Sequence, residues 1–311
     1  MIAFLFPGQG SQVVGMGRAF HDASPAAKAV FAAADAALGL PLTRLMFEGP
    51  EADLALTANT QPAVLTASVA AAAACEERGL RPSLAAGHSL GEYSALVVAG
   101  AISFADAVRV VRKRGEFMQE AVPVGTGAMA AVMGLDLDVV TDVCREAARG
   151  DVVEIANVNC AGQTVIAGHR DAVERAVKLA AARGGRKSVM LPVSAPFHSS
   201  LMRPAAERLR PELERIDVRD PRVPVARNVD GELTRTAGDV TRYLLEQVAS
   251  PVRWTACVRR LAAEGATAFV EVGPGRVLSG LLKRIVDGAR GHSVEDPEGL
   301  DRTLAALGAA G

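Results

Sequence analysis

Short apolar strands alternate with longer helical segments along most of this chain, and that alternation restricts the fold more than any single residue does. Ile2–Phe6 reads as a buried strand that runs into Pro7-Gly8-Gln9-Gly10-Ser11. A helix opens at Ser24 with Pro25 behind it, a cap and first-turn pair. Ala27, Val30, Phe31, Ala34 and Leu38 then recur at helical spacing. Ala63–Cys75 reads as a second helix, Leu84–Gly87 as a short strand, and the apolar run after Gly91 as a third helix. Such an order implies an α/β class with a parallel sheet.

The middle of the chain follows another pattern. Ala128–Met133 is strand-like, Val139–Ala148 helical and Val152–Val158 a strand. Asn159–Gln163 reads as a turn, Thr164–Ala167 as a strand, Asp171–Arg183 as a helix and Lys187–Val193 as a final strand. This is the β-α-β-β-α-β order of a ferredoxin-like unit. The larger pattern resumes with strands at Val223–Arg227 and Thr267–Val272. The expectation is a large α/β domain, 1–124 and 195–311, interrupted by a small ferredoxin-like domain, 125–194. A cleft between host and insert is a favoured ligand site. After Asp287 the chain reads as a partly ordered terminal extension.

Length and charge narrow the class of protein. At 311 residues the chain is long enough for about two domains. With 34 Lys+Arg against 35 Asp+Glu it lacks the basic excess of a nucleic-acid or anionic-membrane binder. The start, Met1 to Pro7, has neither the basic nor the apolar region of a secretory signal. Ala63–Cys75, at 13 residues, is too short to span a bilayer. Cys75, Cys144, Cys160 and Cys257 are far apart and show no metal-ligand spacing. The expectation is a cytoplasmic protein with reduced thiols, no metal site, no nucleic-acid partner and no membrane span.

Gly87-His88-Ser89-Leu90-Gly91 fits G-x-S-x-G, the nucleophile elbow. Glycines flank the serine because a tight strand-to-helix turn leaves no room for side chains beside it. The following helix then aims its first N–H groups at any oxyanion formed there. A packing turn in a glycine-rich chain gives the same pattern, so a base is needed to tell the two apart. His88 adjoins the serine in sequence, but neighbouring side chains diverge, and it reads as structural. His21 follows an early helix, His169 precedes a helix of the small unit, and His292 lies in the polar tail. His198, in Ser194-Ala195-Pro196-Phe197-His198-Ser199-Ser200, stands where the chain re-enters the large unit, at the cleft lip. No acidic residue presents itself as a third member.

Arg114 is the other candidate. Ser103 caps its helix, with Asp106 three residues on, and Phe104, Ala107, Val108, Val111 and Met118 form the apolar face. Arg114 falls between Val110 and the Ala107/Met118 pair, where a guanidinium is partly desolvated and wants an anionic partner. A snorkelling side chain or an internal ion pair would also satisfy that position.

Several further blocks occur in order: Phe6-Pro7-Gly8-Gln9-Gly10-Ser11-Gln12, Thr60-Gln61-Pro62, the elbow with Glu92-Tyr93, Arg114-Gly115, and Asn159 with Gly162-Gln163. Ala195-Pro196-Phe197-His198, Ser250-Pro251-Val252-Arg253-Trp254 and Glu271-Val272-Gly273-Pro274-Gly275 complete the series. From Phe4 to about Val286 the chain resembles the malonyl-CoA:acyl carrier protein transacylases, discrete acyltransferases of bacterial fatty-acid synthesis. The resemblance implies a hydrolase-like α/β domain with a ferredoxin-like insert. It implies Ser89 as the acylated nucleophile and His198 as its base, oriented by a backbone carbonyl matching the segment around Gln247. Main-chain N–H groups at positions matching Gln9 and Leu90 would form the oxyanion hole. Arg114 matches the arginine that pairs with the free carboxylate of malonate, and Phe197 with Leu90 matches the version preferring malonyl over methylmalonyl. Gln61 and Asn159 are expected to line the pocket or to serve as structural hydrogen-bonders. Malonyl-CoA and acyl carrier protein are the implied partners, with no cofactor beyond the substrate thioester. A carrier protein of polyketide synthesis, a serine hydrolase and a non-catalytic scaffold are the competing expectations.

Gly8 and Gly10 do not open a dinucleotide site, because Val13 occupies the third glycine position of G-x-G-x-x-G. Gly273-Pro274-Gly275 likewise lacks the Lys-Ser/Thr of a phosphate loop.

Overall fold

The computed structural model describes residues 1–193 and 195–308. Its strands are β1 (Ile2–Phe6), β2 (Leu84–Gly87), β3 (Gly127–Met133), β4 (Val153–Cys160), β5 (Gln163–His169), β6 (Lys187–Met190), β7 (Val225–Ala226), β8 (Leu233–Thr234), β9 (Ala268–Val272) and β10 (Arg290–Val294). One sheet has the order β10-β9-β1-β2-β7-β8 and is parallel except at β8. The other, β4-β5-β3-β6, is antiparallel throughout.

β1 lacks polar residues because the sheet is covered on both faces. Phe4 and Phe6 pack into a core with the helices Pro25–Leu38, Thr57–Glu77 and Phe104–Glu120. Ala3 and Leu5 point the other way, against Trp254, Val258 and Leu261 of the helix Trp254–Ala263. The antiparallel sheet repeats this logic at period two. Ala128, Ala130 and Val132 of β3 form a third core with Val140, Val143, Ala172 and Ala176 from the helices Leu137–Ala148 and Arg170–Ala182, while Met129 on the opposite face joins the first core. The edge strand β4 is covered by the block after Gln247. Val158 N–H donates to Val252 O, and Val252 N–H donates to Ala156 O. That pairing accounts for the non-helical Pro251–Arg253 segment ahead of the helix Trp254–Ala263.

Three expectations need correction. Asn159 and Cys160 belong to β4 rather than to a turn, since the hairpin to β5 needs only Ala161 and Gly162, and Gly162 takes φ 64°. The last strand of the middle segment stops at Met190 rather than Val193. The chain after Asp287 is not an extension: β10 completes the parallel sheet beside β9, and the helix Pro297–Gly308 packs next to it. His292 therefore lies in a strand. Among the described residues no helix is long and apolar enough to cross a membrane, and all four cysteines are buried and unpaired.

Candidate active site

β1 and β2 pair in parallel with Phe6 opposite Gly87, so the Pro7–Ser11 turn and the serine elbow leave the sheet side by side. A Cβ on Gly8 would lie 2.5 Å from His88 O, and one on Gly87 would lie 1.8 Å from Gly91 C. Only glycine allows these backbones to approach so closely. Ser89 itself takes φ 52°, a left-handed conformation that costs about 1–3 kcal/mol in a non-glycine residue. Asn228 holds it there. The Ser89 N–H donates to Asn228 Oδ1 at 2.7 Å, and Asn228 Nδ2 donates to Gly87 O at 2.7 Å. Asn228→Ala would leave two buried backbone groups unpaired and should destabilise the fold by about 3 kcal/mol. Denaturant unfolding would measure this, and an unchanged midpoint would mean the elbow is held by other contacts.

His198, also in the left-handed region at φ 60°, meets the serine from across the cleft. Ser194, the first residue of its segment, lies outside the described residues. Ser89 Oγ is 2.7 Å from His198 Nε2, and His198 Nδ1 is 2.9 Å from Gln247 O. A carbonyl can only accept, so Nδ1 carries the proton and the Nε2 lone pair faces the serine hydroxyl. Burial, with Arg114 adding to it, pushes the His198 pKa down to about 3. The ring is therefore neutral at ordinary pH. Gln9 and Leu90 line the same cavity as the serine, and among the described residues neither backbone N–H donates to a protein acceptor.

Arg114 is 1% exposed. Its Nη1 donates to Gln61 Oε1 at 2.7 Å and its Nη2 to Gln247 Oε1 at 2.8 Å. Nη2 also lies 3.3 Å from Ser89 Oγ. It neither snorkels nor, among the described residues, forms a direct ion pair, so two neutral amides hold a cation beside the serine. The Arg114-Gly115 dipeptide has a packing reason: a Cβ on Gly115 would lie 2.6 Å from Thr57 O, so glycine lets the two helices close on Gln61. Pro62, inside the helix Thr57–Glu77, has no N–H for Ala58 O, and Arg112 Nη1 donates to that carbonyl at 3.0 Å instead.

Gln9, Gln61, Ser89, Leu90, Arg114, Phe197 and His198 thus line one cavity of about 110 Å³, closed on its apolar side by Met118, Met129, Leu191 and Val193. Gln247 is buried outside that lining, and Asn159 is likewise set apart from it. Asn159 Oδ1 lies 3.0 Å from His88 Nε2, and the residue faces an adjoining cavity of about 220 Å³ that runs along the Pro7–Ser11 turn. Asn157, two residues earlier on the same strand face, lines both cavities. Sequence reasoning passed over Asn157, Asn228 and the buried Glu92, although an acidic residue opening an otherwise apolar helix was a visible signal for the last. Burial lowers the pKa of His88 and keeps it neutral.

A left-handed serine at a strand-to-helix turn, a neutral histidine on its hydroxyl and a buried cation one hydrogen bond away define a protein built for acyl transfer through serine. The family model for the acyl transferase domain matches residues 3–298. The malonyl CoA-acyl carrier protein transacylase of Bacillus subtilis (strain 168) is 50% identical over 309 residues, covering 98% of this chain and 97% of the relative. The solved malonyl CoA-acyl carrier protein transacylase of Coxiella burnetii has TM-score 0.96 and 42% identity, with 98% and 97% of the two chains covered. A malonyl-transacylase solved in complex with a type II PKS acyl-carrier protein has TM-score 0.95 and 46% identity, with 98% and 99% covered. The chain belongs to the malonyl CoA-acyl carrier protein transacylase family.

Proposed function

We propose that this protein transfers malonyl groups from malonyl-CoA to the phosphopantetheine thiol of acyl carrier protein, supplying fatty-acid synthesis. The observation that carries the reading is the buried Arg114 guanidinium 3.3 Å from the hydroxyl that His198 is placed to deprotonate. A guanidinium holds a carboxylate through two parallel hydrogen bonds, so a diacid acyl group is selected at the nucleophile itself. His198 takes the Ser89 proton as Oγ attacks the thioester carbonyl, and the Gln9 and Leu90 N–H groups receive the oxyanion. The proton passes to the departing sulfur of coenzyme A, leaving malonyl-Ser89. The carrier thiol then attacks in the same geometry. The cavity beside His88 is contiguous with this point and suits the arm of the thioester. The transfer balances without a metal or redox cofactor, and the acting compartment is the cytoplasm.

Two units carry this site in our reading: a hydrolase-like domain, 1–124 and 195–311, and a ferredoxin-like domain, 125–194. The separate core beneath β3 and the β4-β5-β3-β6 order support that division.

Intact mass after mixing with malonyl-CoA tests the reading. A malonyl adduct on Ser89 that discharges onto carrier protein is the expected result, whereas free malonate with no adduct would indicate a hydrolase. The likeness to the malonyl-transacylase bound to a type II PKS acyl-carrier protein favours one second reading, transfer to a polyketide carrier protein. Comparing discharge onto the two kinds of carrier separates them.

The acylation rate constant also has a predictable pH dependence. A histidine at its ordinary value loses half its neutral form near about pH 6.5. With the His198 pKa lowered to about 3, the neutral form persists as pH falls until that value is approached. Single-turnover acylation should change less than about twofold from about pH 8 to about pH 5. A decline centred near 6.5 would show that the base is not buried in the working enzyme.

A further inference from the structure

Glu92 takes no part in the chemistry proposed above, yet the contacts that hold the site converge on it. It is 3% exposed, and its Oε2 accepts from Asn228 N–H at 3.0 Å and from Gln247 Nε2 at 2.8 Å. Asn228 fixes both ends of the serine turn. Gln247 holds Ser89 O through Nε2, Arg114 through Oε1 and His198 through its own carbonyl. One carboxylate thus reaches the nucleophile, the base and the acyl-carboxylate reader, each through a single intermediate residue.

The charges around it are few. Arg114, on the helix Phe104–Glu120, attracts it, and Asp230, beyond Asn228, repels it. Tyr93 on its own helix and Cys257 on Trp254–Ala263 are neutral neighbours whose own pKa values burial raises. His198, reached through Gln247, is neutral as well. The unloaded site therefore holds one guanidinium and one carboxylate. Loading a malonyl group adds a second carboxylate against the same buried guanidinium. Two carboxylates sharing one cation cannot both stay ionised without a large cost. The acyl carboxylate contacts Arg114 directly, whereas Glu92 reaches it only through an amide, so Glu92 is the group that yields. Burial has already pushed its pKa up to about 7.

Building on the malonyl reading, we propose that Glu92 is the positioning residue of this site and the buried counter-charge of Arg114, taking a proton from solvent when the acyl carboxylate is loaded and returning it when the acyl group leaves. Acylation is otherwise proton-neutral, since the serine proton leaves on the coenzyme A thiol. Protonated Glu92 still accepts both hydrogen bonds through Oε2, so the serine turn and Gln247 keep their places while the second negative charge is removed.

The test mixes the full chain with malonyl-CoA in weak buffer at about pH 8 with a pH indicator, counting acyl-enzyme by intact mass. Uptake approaching about one proton per acyl-enzyme is expected, with release when carrier protein discharges it. The KM for malonyl-CoA should fall about tenfold between about pH 8 and about pH 6, with kcat nearly constant. Glu92→Gln keeps an oxygen for the two donors but cannot titrate. It should form acyl-enzyme without proton uptake and show a KM that no longer depends on pH. Acyl-enzyme formed by the unaltered chain with no uptake would overturn the proposal and leave malonyl transfer standing. Absence of any acyl-enzyme would overturn both. The uptake measurement needs no variant, so a Glu92→Gln chain that fails to fold does not weaken the test.

Discussion

Ser89→Ala should leave a folded protein that forms no malonyl-enzyme, with transfer to carrier protein reduced by about 10⁴-fold or more. Two features of the elbow make this a clean experiment. The left-handed backbone at residue 89 is held by its N–H to Asn228 Oδ1 and by Gln247 Nε2 to its carbonyl, and alanine retains both groups. Among the described residues the hydroxyl makes only the 2.7 Å contact with His198 and the 3.3 Å contact with Arg114, so its removal empties the point of attack and little else. The thermal midpoint should therefore move by no more than a few degrees. Malonyl-CoA should still bind, since Arg114 keeps its hydrogen bonds to Gln61 and Gln247 and the Gln9 and Leu90 amides are main-chain groups. Intact mass reads the first outcome and calorimetric titration the second. An adduct persisting in the variant would place the nucleophile elsewhere.

The elbow was legible because its demands are local. A tight turn between a buried strand and a helix admits few residues other than glycine beside the serine, and that constraint is written into five consecutive positions. β1 was legible for a similar reason, since a strand covered on both faces must be apolar throughout. β10 was not. Its Arg290-Gly291-His292-Ser293-Val294 sequence is largely polar because it forms a sheet edge, and neither alternation nor an apolar run marks it. The cluster of Asn, Gly and Gln around Asn159 reads as a turn, but a two-residue hairpin needs only Gly162 at positive φ. The helical wheel located Arg114 correctly between apolar neighbours, yet it could not say what held the guanidinium. Gln61 and Gln247 arrive from 53 and 133 residues away. Asn228 and Glu92 meet across 136 residues, and contacts of that range leave no periodic trace in a sequence.

Arg114→Met should lower kcat/KM for malonyl-CoA by about 10²–10³-fold while leaving acetyl-CoA acylation unchanged or faster, so that the preference between the two collapses. The magnitude follows from losing a desolvated, two-pronged carboxylate contact, worth about 3–4 kcal/mol where one partner of a buried charge pair is removed. Methionine keeps much of the volume and suits the apolar neighbours Val110 and Met118, which limits damage to packing. Gln247 stays oriented by Glu92 and by Ser89 O, so the His198 carbonyl contact survives. The base should also change in a defined direction. The Arg114 charge is one of the causes that depress His198, and removing it raises the proton affinity of the ring toward its ordinary value. An acetyl thioester in the unaltered protein offers Arg114 no carboxylate and also meets a base that the Arg114 charge depresses. In Arg114→Met that second handicap disappears, which is why acetyl transfer is expected to hold or rise. Arg114→Lys keeps the charge but loses the planar fork, and it should fall between the two with malonyl-CoA. Single-turnover acylation with each thioester gives the ratio directly. A malonyl-to-acetyl preference unchanged in Arg114→Met would show that the diacid is selected somewhere other than at this guanidinium.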